Sequence, residues 1–190
     1  MEQLKVMTIF GTRPEAIKMA PLVKQLKNEK NILSLLQDEG EGSRLLSKHR
    51  LFTVGRLDKN SRGLVILTSD GDLGQRLMHP SFAHRKIYEA KIKQKSYDEN
   101  EVRNRFIQGV DIGRDQGIVS AEEVEHLGNK RFEITLTQGK KRQIRRMFEA
   151  LGLTVADLVR TGVDGLKLGD LREGDWRHLT SEEVEKLKEN

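Results

Sequence analysis

Leu51-Phe52-Thr53-Val54-Gly55-Arg56-Leu57-Asp58-Lys59-Asn60-Ser61-Arg62-Gly63-Leu64-Val65-Ile66-Leu67-Thr68-Ser69-Asp70-Gly71 is the stretch around which the rest of the chain can be read. Two short apolar runs, 51–54 and 64–68, flank a polar, glycine-bounded segment from Gly55 to Gly63. Short apolar runs bounded by turn signals read as strands. Ser69-Asp70-Gly71 is a second turn signal, and residues 72–78 follow with helical spacing of Leu73 and Leu77. Asp58 stands between Arg56 and Lys59, so the turn would project a carboxylate from the end of a sheet among cations that favour its ionised form. Such a carboxylate can act as nucleophile or base. A turn aspartate that bonds backbone amides accounts for the same residue without chemistry. Spacing alone leaves both readings open.

Downstream, residues 86–94 alternate, with Tyr88, Ala90 and Ile92 opposed to Ile87, Glu89 and Lys91, a strand pattern. Residues 97–107 read as a helix capped near Ser96, 117–124 and 131–136 as strands, and 142–151 as a helix stopped by Gly152. A strand at 166–168, a loop carrying Trp176 and a last helix opened by Thr180-Ser181-Glu182-Glu183 complete the pattern. Upstream, Lys5-Val6-Met7-Thr8-Ile9-Phe10 reads as a strand broken by Gly11, with Thr12 and Glu15 at capping-box spacing. A helix over 16–27 carries Pro21 in its middle, short helices are expected at 32–37 and 43–48, and Asp38–Ser43 reads as a linker. Many strands with scattered helices imply an α+β fold with a largely antiparallel sheet.

Composition bounds the function. The chain has 190 residues, 36% of them hydrophobic, which suffices for a packed core. Lys and Arg number 34 against 29 Asp and Glu, a formal charge of +5 that points to an anionic partner without naming one. The absence of cysteine excludes disulfides, thiolate zinc sites and a cysteine nucleophile. No apolar run reaches the roughly 18 residues of a membrane span, so no membrane partner is expected. His49, His79, His84, His126 and His178 have no ligand spacing, so no metal is expected and ordinary surface or packing roles are assigned to them.

The excess positive charge concentrates in Gly139-Lys140-Lys141-Arg142-Gln143-Ile144-Arg145-Arg146, where five of eight residues are cations. The run crosses from a strand end into a helix start, where backbone N–H groups already favour anions. Cations at that end oppose the helix macrodipole unless an anion is present, which suits a phosphate backbone. A solvated basic helix face is the competing explanation.

The Leu51–Gly71 stretch resembles the active-site motif of RNA pseudouridine synthases, specifically the RsuA/RluB/RluE/RluF group. The resemblance continues through His79-Pro80, Arg85-Lys86-Ile87-Tyr88, Gly139–Gly152 and Leu166-Lys167-Leu168-Gly169 to Trp176-Arg177-His178-Leu179-Thr180, covering about residues 51–187. It implies a pseudouridine synthase-like fold with a mixed, largely antiparallel sheet and flanking helices. It also implies an isomerase without cofactor that turns uridine into pseudouridine in structured RNA, ribosomal RNA foremost. Asp58 matches the family's catalytic aspartate, which forms a covalent adduct with the target nucleotide. Tyr88 matches the tyrosine that stacks on the base and is implicated in removing the C5 proton. Arg145 matches the basic partner of the aspartate, which would make a buried pair with Asp58. Ile144 would pack beside the base, and Arg56 matches the arginine that fills the space of the extruded nucleotide. Lys59, Arg85, Lys86, Lys140, Lys141, Arg142 and Arg146 are the expected RNA contacts. A base inside a duplex has to be flipped out at a cost of a few kcal/mol, which stacking and an intercalated guanidinium offset. Asp70 and Asp72 read as turn and cap residues, and Trp176 as an anchor of the C-terminal segment.

The first 30 residues depart from this pattern. Lys5 through Leu22 resembles the opening strand, turn and helix of UDP-N-acetylglucosamine 2-epimerases. The expected organisation is therefore an epimerase-like strand and helix over 1–30, a linker or replaced start over 31–50, and a synthase-like catalytic domain over 51–190. The small N-terminal RNA-binding domain and the Lys-Pro opening strand of the synthase pattern are not found, so the chain reads as a chimera. Residues 154–162, where a more basic run is expected, carry Asp157 instead. A catalytically impaired RNA-binding domain and a nucleotide-sugar protein are the alternative readings. A cytoplasmic monomer is expected.

Overall fold

A computed structural model describes residues 7–10, 52–113, 116–173 and 175–189. The chain divides into two compact units, Met1–Phe82 with Leu168–Asn190, and Ala83–Lys167. The segment read as one domain over 51–190 thus contributes to both.

In the first unit the strands are β1 (Met7–Phe10), β2 (Phe52–Val54), β3 (Arg62–Thr68) and β11 (Trp176–His178). β1 is antiparallel to both β3 and β11, with Ile9 opposite Val65 and Trp176. β2 pairs antiparallel with β3 through Thr53↔Leu67 and Val54↔Ile66. The strand expected near residues 5–10 is therefore a working member of the sheet rather than an appendage. Leu64 through Leu67 are all buried, as an unbroken apolar run requires. Helix α1 (Gly71–Met78) follows at once, and Asp70 is its N-cap, accepting from the Leu73 N–H at 3.0 Å. The second helix of this unit, α4 (Ser181–Glu189), opens with a reciprocal capping box. The Thr180 N–H donates to Glu183 and the Glu183 N–H to the Thr180 hydroxyl. Trp176, expected in a loop, lies in β11 because pairing to β1 recruits that segment.

The second unit is a sheet in the order β9-β4-β8-β7, formed by β4 (Lys86–Ile92), β7 (Glu123–Gly128), β8 (Arg131–Leu136) and β9 (Val155–Val163), with β10 (Leu166–Lys167) folded back on β9. A separate pair joins β5 (Val110–Asp111) and β6 (Ile118–Val119). Helices α2 (Glu99–Gln108) and α3 (Gln143–Ala150) bury Val102 and Phe106, and Ile144, Met147 and Phe148. The core centres on Phe132 and Phe148, whose ring centroids lie 5.6 Å apart, with Phe106 4.8 Å from Phe148. Every pairing within each unit is antiparallel, and with four helices among the described residues the fold is α+β.

Several expectations are corrected. The α2 cap is Asp98, which accepts from Asn100 and Glu101, and not the region of Ser96. The run 117–124 divides into β6 and the start of β7, because Ala121 and Glu122 turn to bond Phe106 and Thr135. Residues 155–163, whose sequence shows no clean strand period, form the longest strand described. The helices expected at 16–27, 32–37 and 43–48 and the turn at 11–15 lie outside the described residues.

Candidate active-site residues

In the first unit, the segment between β2 and β3 carries Arg56, Asp58 and Lys59. Gly55 has φ +76°, a left-handed conformation that turns the chain out of β2. The Ser61 N–H donates to the Asp58 carbonyl at 2.9 Å, closing a tight turn that Asp58 begins. Asp58 is half-buried while Arg56 and Lys59 are exposed. Among the described residues of its own unit, no donor holds the Asp58 carboxylate. The amide-bonding turn aspartate is thus not what the geometry presents: the backbone makes the turn and the side chain is left available. Asp70, by contrast, is spent on capping α1, in the structural role expected of it.

In the second unit, Tyr88 lies on β4, flanked by β8 and β9, opposite Ile134 and Arg160. A register shift between Ile87 and Tyr88 interrupts the β9 pairing there, and such irregularities re-aim side chains. Tyr88 shares its face with the buried Ala90 and Ile92 and packs against the core while remaining partly exposed. Lys86, two residues earlier, is half-buried and donates to the His84 carbonyl at 3.0 Å. Burial, and then the nearby Arg160, push its ammonium below the usual lysine range, against the pull of Asp164. Arg85 is exposed but engaged, with Glu122 at 3.2 Å and Glu123 at 2.9 Å, which raise its pKa further.

The basic run lies, as its sequence implies, between the end of β8 and the start of α3. Lys140 and Lys141 are exposed, and Arg142 approaches Glu149 at 3.4 Å. Ile144 is 3% exposed and belongs to the hydrophobic core, a packing role the sequence reading did not assign. Arg145 is buried too, and its Nη1 donates to the Val155 carbonyl at 3.2 Å, tying α3 to the start of β9. Arg146 is half-buried beside it. Two features escaped the sequence. Arg160 is buried on β9 facing Tyr88, and the buried His84 ring meets the Asp164 carboxylate at the β9–β10 turn. Neither has a local signal, since both depend on strand pairing. No cluster of three or more metal-ligating side chains occurs among the described residues. None of their helices is long and apolar enough to cross a membrane.

The described residues combine antiparallel α+β units, a turn-borne carboxylate and a basic helix entry. The family model described as RNA pseudouridylate synthase matches residues 29–150. A Bacillus subtilis protein named ribosomal large subunit pseudouridine synthase B is 31% identical over 178 residues, which cover 88% of this chain and 72% of that protein. The Salmonella typhi dual-specificity RNA pseudouridine synthase RluF is 38% identical over 137 residues, covering 71% of this chain and 45% of that protein. A crystal structure of a pseudouridylate synthase superposes with a TM-score of 0.78 at 24% identity, over 98% of this chain and 75% of that one. The chain belongs to the RNA pseudouridine synthase family, whose members are isomerases. It spans most of the B. subtilis relative and under half of the S. typhi one.

Proposed function

We propose that this chain isomerises uridine to pseudouridine in structured RNA, with ribosomal RNA the first substrate to test. The observation that carries the reading is Asp58: a half-buried carboxylate set at the head of a turn by its backbone, with no donor from its own unit. A nucleophile needs those properties. Asp58 forms the covalent adduct with the target nucleotide; the uracil leaves C1′, turns, and is rejoined to C1′ through C5, and the C5 proton is lost. Tyr88 stacks on the base and takes part in that proton loss. Arg145 is the basic residue assigned to the aspartate by the resemblance. Arg56 fills the space of the extruded nucleotide, and Lys59, Arg85, Lys86, Lys140, Lys141, Arg142 and Arg146 contact the RNA, with Ile144 beside the base. The charges of the 139–146 run supply affinity through counterion release. The chemistry needs neither cofactor nor metal, and a monomer in the cytoplasm suffices for it.

The epimerase-like opening serves as structure, not as a nucleotide-sugar site. Its strand is used up in pairing with β3 and β11, which supports that assignment.

The test is release of tritium from RNA labelled at uridine C5. The wild type releases it and Asp58→Asn does not. Silence from the wild type together with salt-sensitive RNA binding would leave an RNA-binding protein without catalysis and overturn the reading.

A further inference from the structure

The turn before α3 is built in an unusual way. Arg142 is the N-cap of α3 with φ 57° and ψ 31°, left-handed for a non-glycine residue, and its side chain makes no capping bond. That conformation is unfavourable for an L-residue with a Cβ and persists only where neighbours impose it. The imposing contacts come from the next residue. The Gln143 N–H donates to the Lys140 carbonyl at 3.0 Å. The Gln143 Oε1 accepts the Lys140 N–H, also at 3.0 Å. Main chain and side chain of one glutamine therefore hold both backbone groups of Lys140.

Gln143 is 3% exposed. Burying a primary amide is unfavourable unless its polar atoms are bonded. Its orientation is set, because an N–H donor requires the carboxamide oxygen opposite it. The amide nitrogen then has no acceptor among the described residues. A buried side chain that leaves a donor unpaired adds little stability of its own. What it does secure is the shape of residues 140–142 at the entry of α3, with Lys140 and Lys141 exposed and Arg142 half-buried.

We infer that Gln143 is a positioning residue: it clamps the Lys140–Arg142 turn from inside so that Lys140, Lys141 and Arg142 meet the phosphate backbone of the RNA in fixed register. This role rests on the RNA reading proposed above. It assigns Gln143 a part in substrate affinity and none in the bond-changing step. The clamp acts through Oε1, so a glutamate, which offers a carboxylate oxygen at the same place and suits a helix N-terminus, preserves it.

The experiment compares wild type, Gln143→Leu and Gln143→Glu in three measurements. The first is amide exchange of Lys140 by NMR. The second is affinity for a structured RNA over a salt series. The third is pseudouridine formation resolved into KM and kcat. In Gln143→Leu the Lys140 amide exchanges faster and RNA affinity falls about tenfold, the worth of one buried hydrogen bond. Its log–log salt slope becomes shallower by about one to two as phosphate contacts are lost. KM rises and kcat stays within about twofold, a split that follows from positioning rather than chemistry. In Gln143→Glu the Lys140 amide stays protected and affinity remains within about threefold of wild type, well short of the tenfold decade. Wild-type affinity in Gln143→Leu, or equal damage in both variants, overturns the role while leaving the proposed function standing. If Gln143→Leu does not fold, loss of Lys140 protection in a folded Gln143→Glu overturns it. A wild type that binds no RNA overturns the proposed function and this role with it.

Discussion

Replacing Asp164 tests how the second unit sets the start of β4. Asp164 occupies the β9–β10 turn with φ 46°, its side chain 4% exposed and the facing His84 side chain 2% exposed. Its Oδ2 lies in close contact with His84 Nδ1, its Oδ1 accepts the Arg85 N–H at 2.7 Å, and its own N–H donates to the Arg85 carbonyl at 2.9 Å. The side-chain bond to the Arg85 N–H is charge-assisted, worth about 1.5–3 kcal/mol, and losing the carboxylate also removes its contact with the buried His84 ring, at about 1–3 kcal/mol. Alanine also meets the left-handed backbone with a penalty of about 1–2 kcal/mol. These contributions share partners and do not add, so Asp164→Ala is expected to destabilise by about 3–5 kcal/mol. Asparagine tolerates the left-handed conformation and still accepts from Arg85, so Asp164→Asn is expected to cost only about 1–2 kcal/mol. Urea unfolding followed by circular dichroism at pH 7 measures both. The Asp164 charge also holds up the pKa of Lys86, which burial and Arg160 depress, so in Asp164→Asn the Lys86 ammonium titrates at lower pH by NMR. A loss below about 1 kcal/mol for Asp164→Ala, or equal losses for the two variants, would refute this account of the turn.

Four further outcomes are expected. Phe148→Ala removes a fully buried ring lying 4.8 Å from Phe106 and 5.6 Å from Phe132, at about 3–5 kcal/mol in chemical denaturation. Glu183 is held below the usual carboxylate range chiefly by its hydrogen bonds from Arg177, with burial opposing. Its folded pKa therefore lies under the unfolded value of about 4.3. Its stabilisation is complete above that pH and fades as pH falls through the folded value, so Glu183→Gln flattens the acid limb of a stability–pH curve. Lys140→Ala and Lys141→Ala each make the salt dependence of RNA binding shallower by about 0.7–0.9, read by fluorescence anisotropy. Tyr88→Phe keeps the ring against the core, so thermal unfolding is unchanged while C5 tritium release falls; release at the wild-type rate would discharge the hydroxyl from proton removal.

Local pattern carried much of this molecule. The strand, turn, strand, turn and helix of residues 51–78 are found close to where spacing and turn residues put them, and Asp70 is the cap it was read as. The basic run falls between strand and helix because its composition switches there from alternating to helical spacing. β9 was not legible. Its run Val155-Ala156-Asp157-Leu158-Val159-Arg160 mixes apolar and charged residues without a clean period, and it becomes a strand because β4 pairs along it. Trp176 likewise joins a strand only through β1, far away in sequence.

The sequence by itself determined the fold class and the family, since apolar spacing, turn residues and ordered motifs are local properties of the chain. Tertiary structure alone decided which polar groups are buried and what holds them. Arg145 bonds the Val155 carbonyl, His84 meets Asp164, Ile144 enters the core, and Gln143 turns inward to clamp Lys140. Burial of a polar side chain depends on whether a matching donor or acceptor, or enough apolar surface, closes over it. Where those covering groups come from strands or turns remote in sequence, the residue's own neighbours cannot announce them.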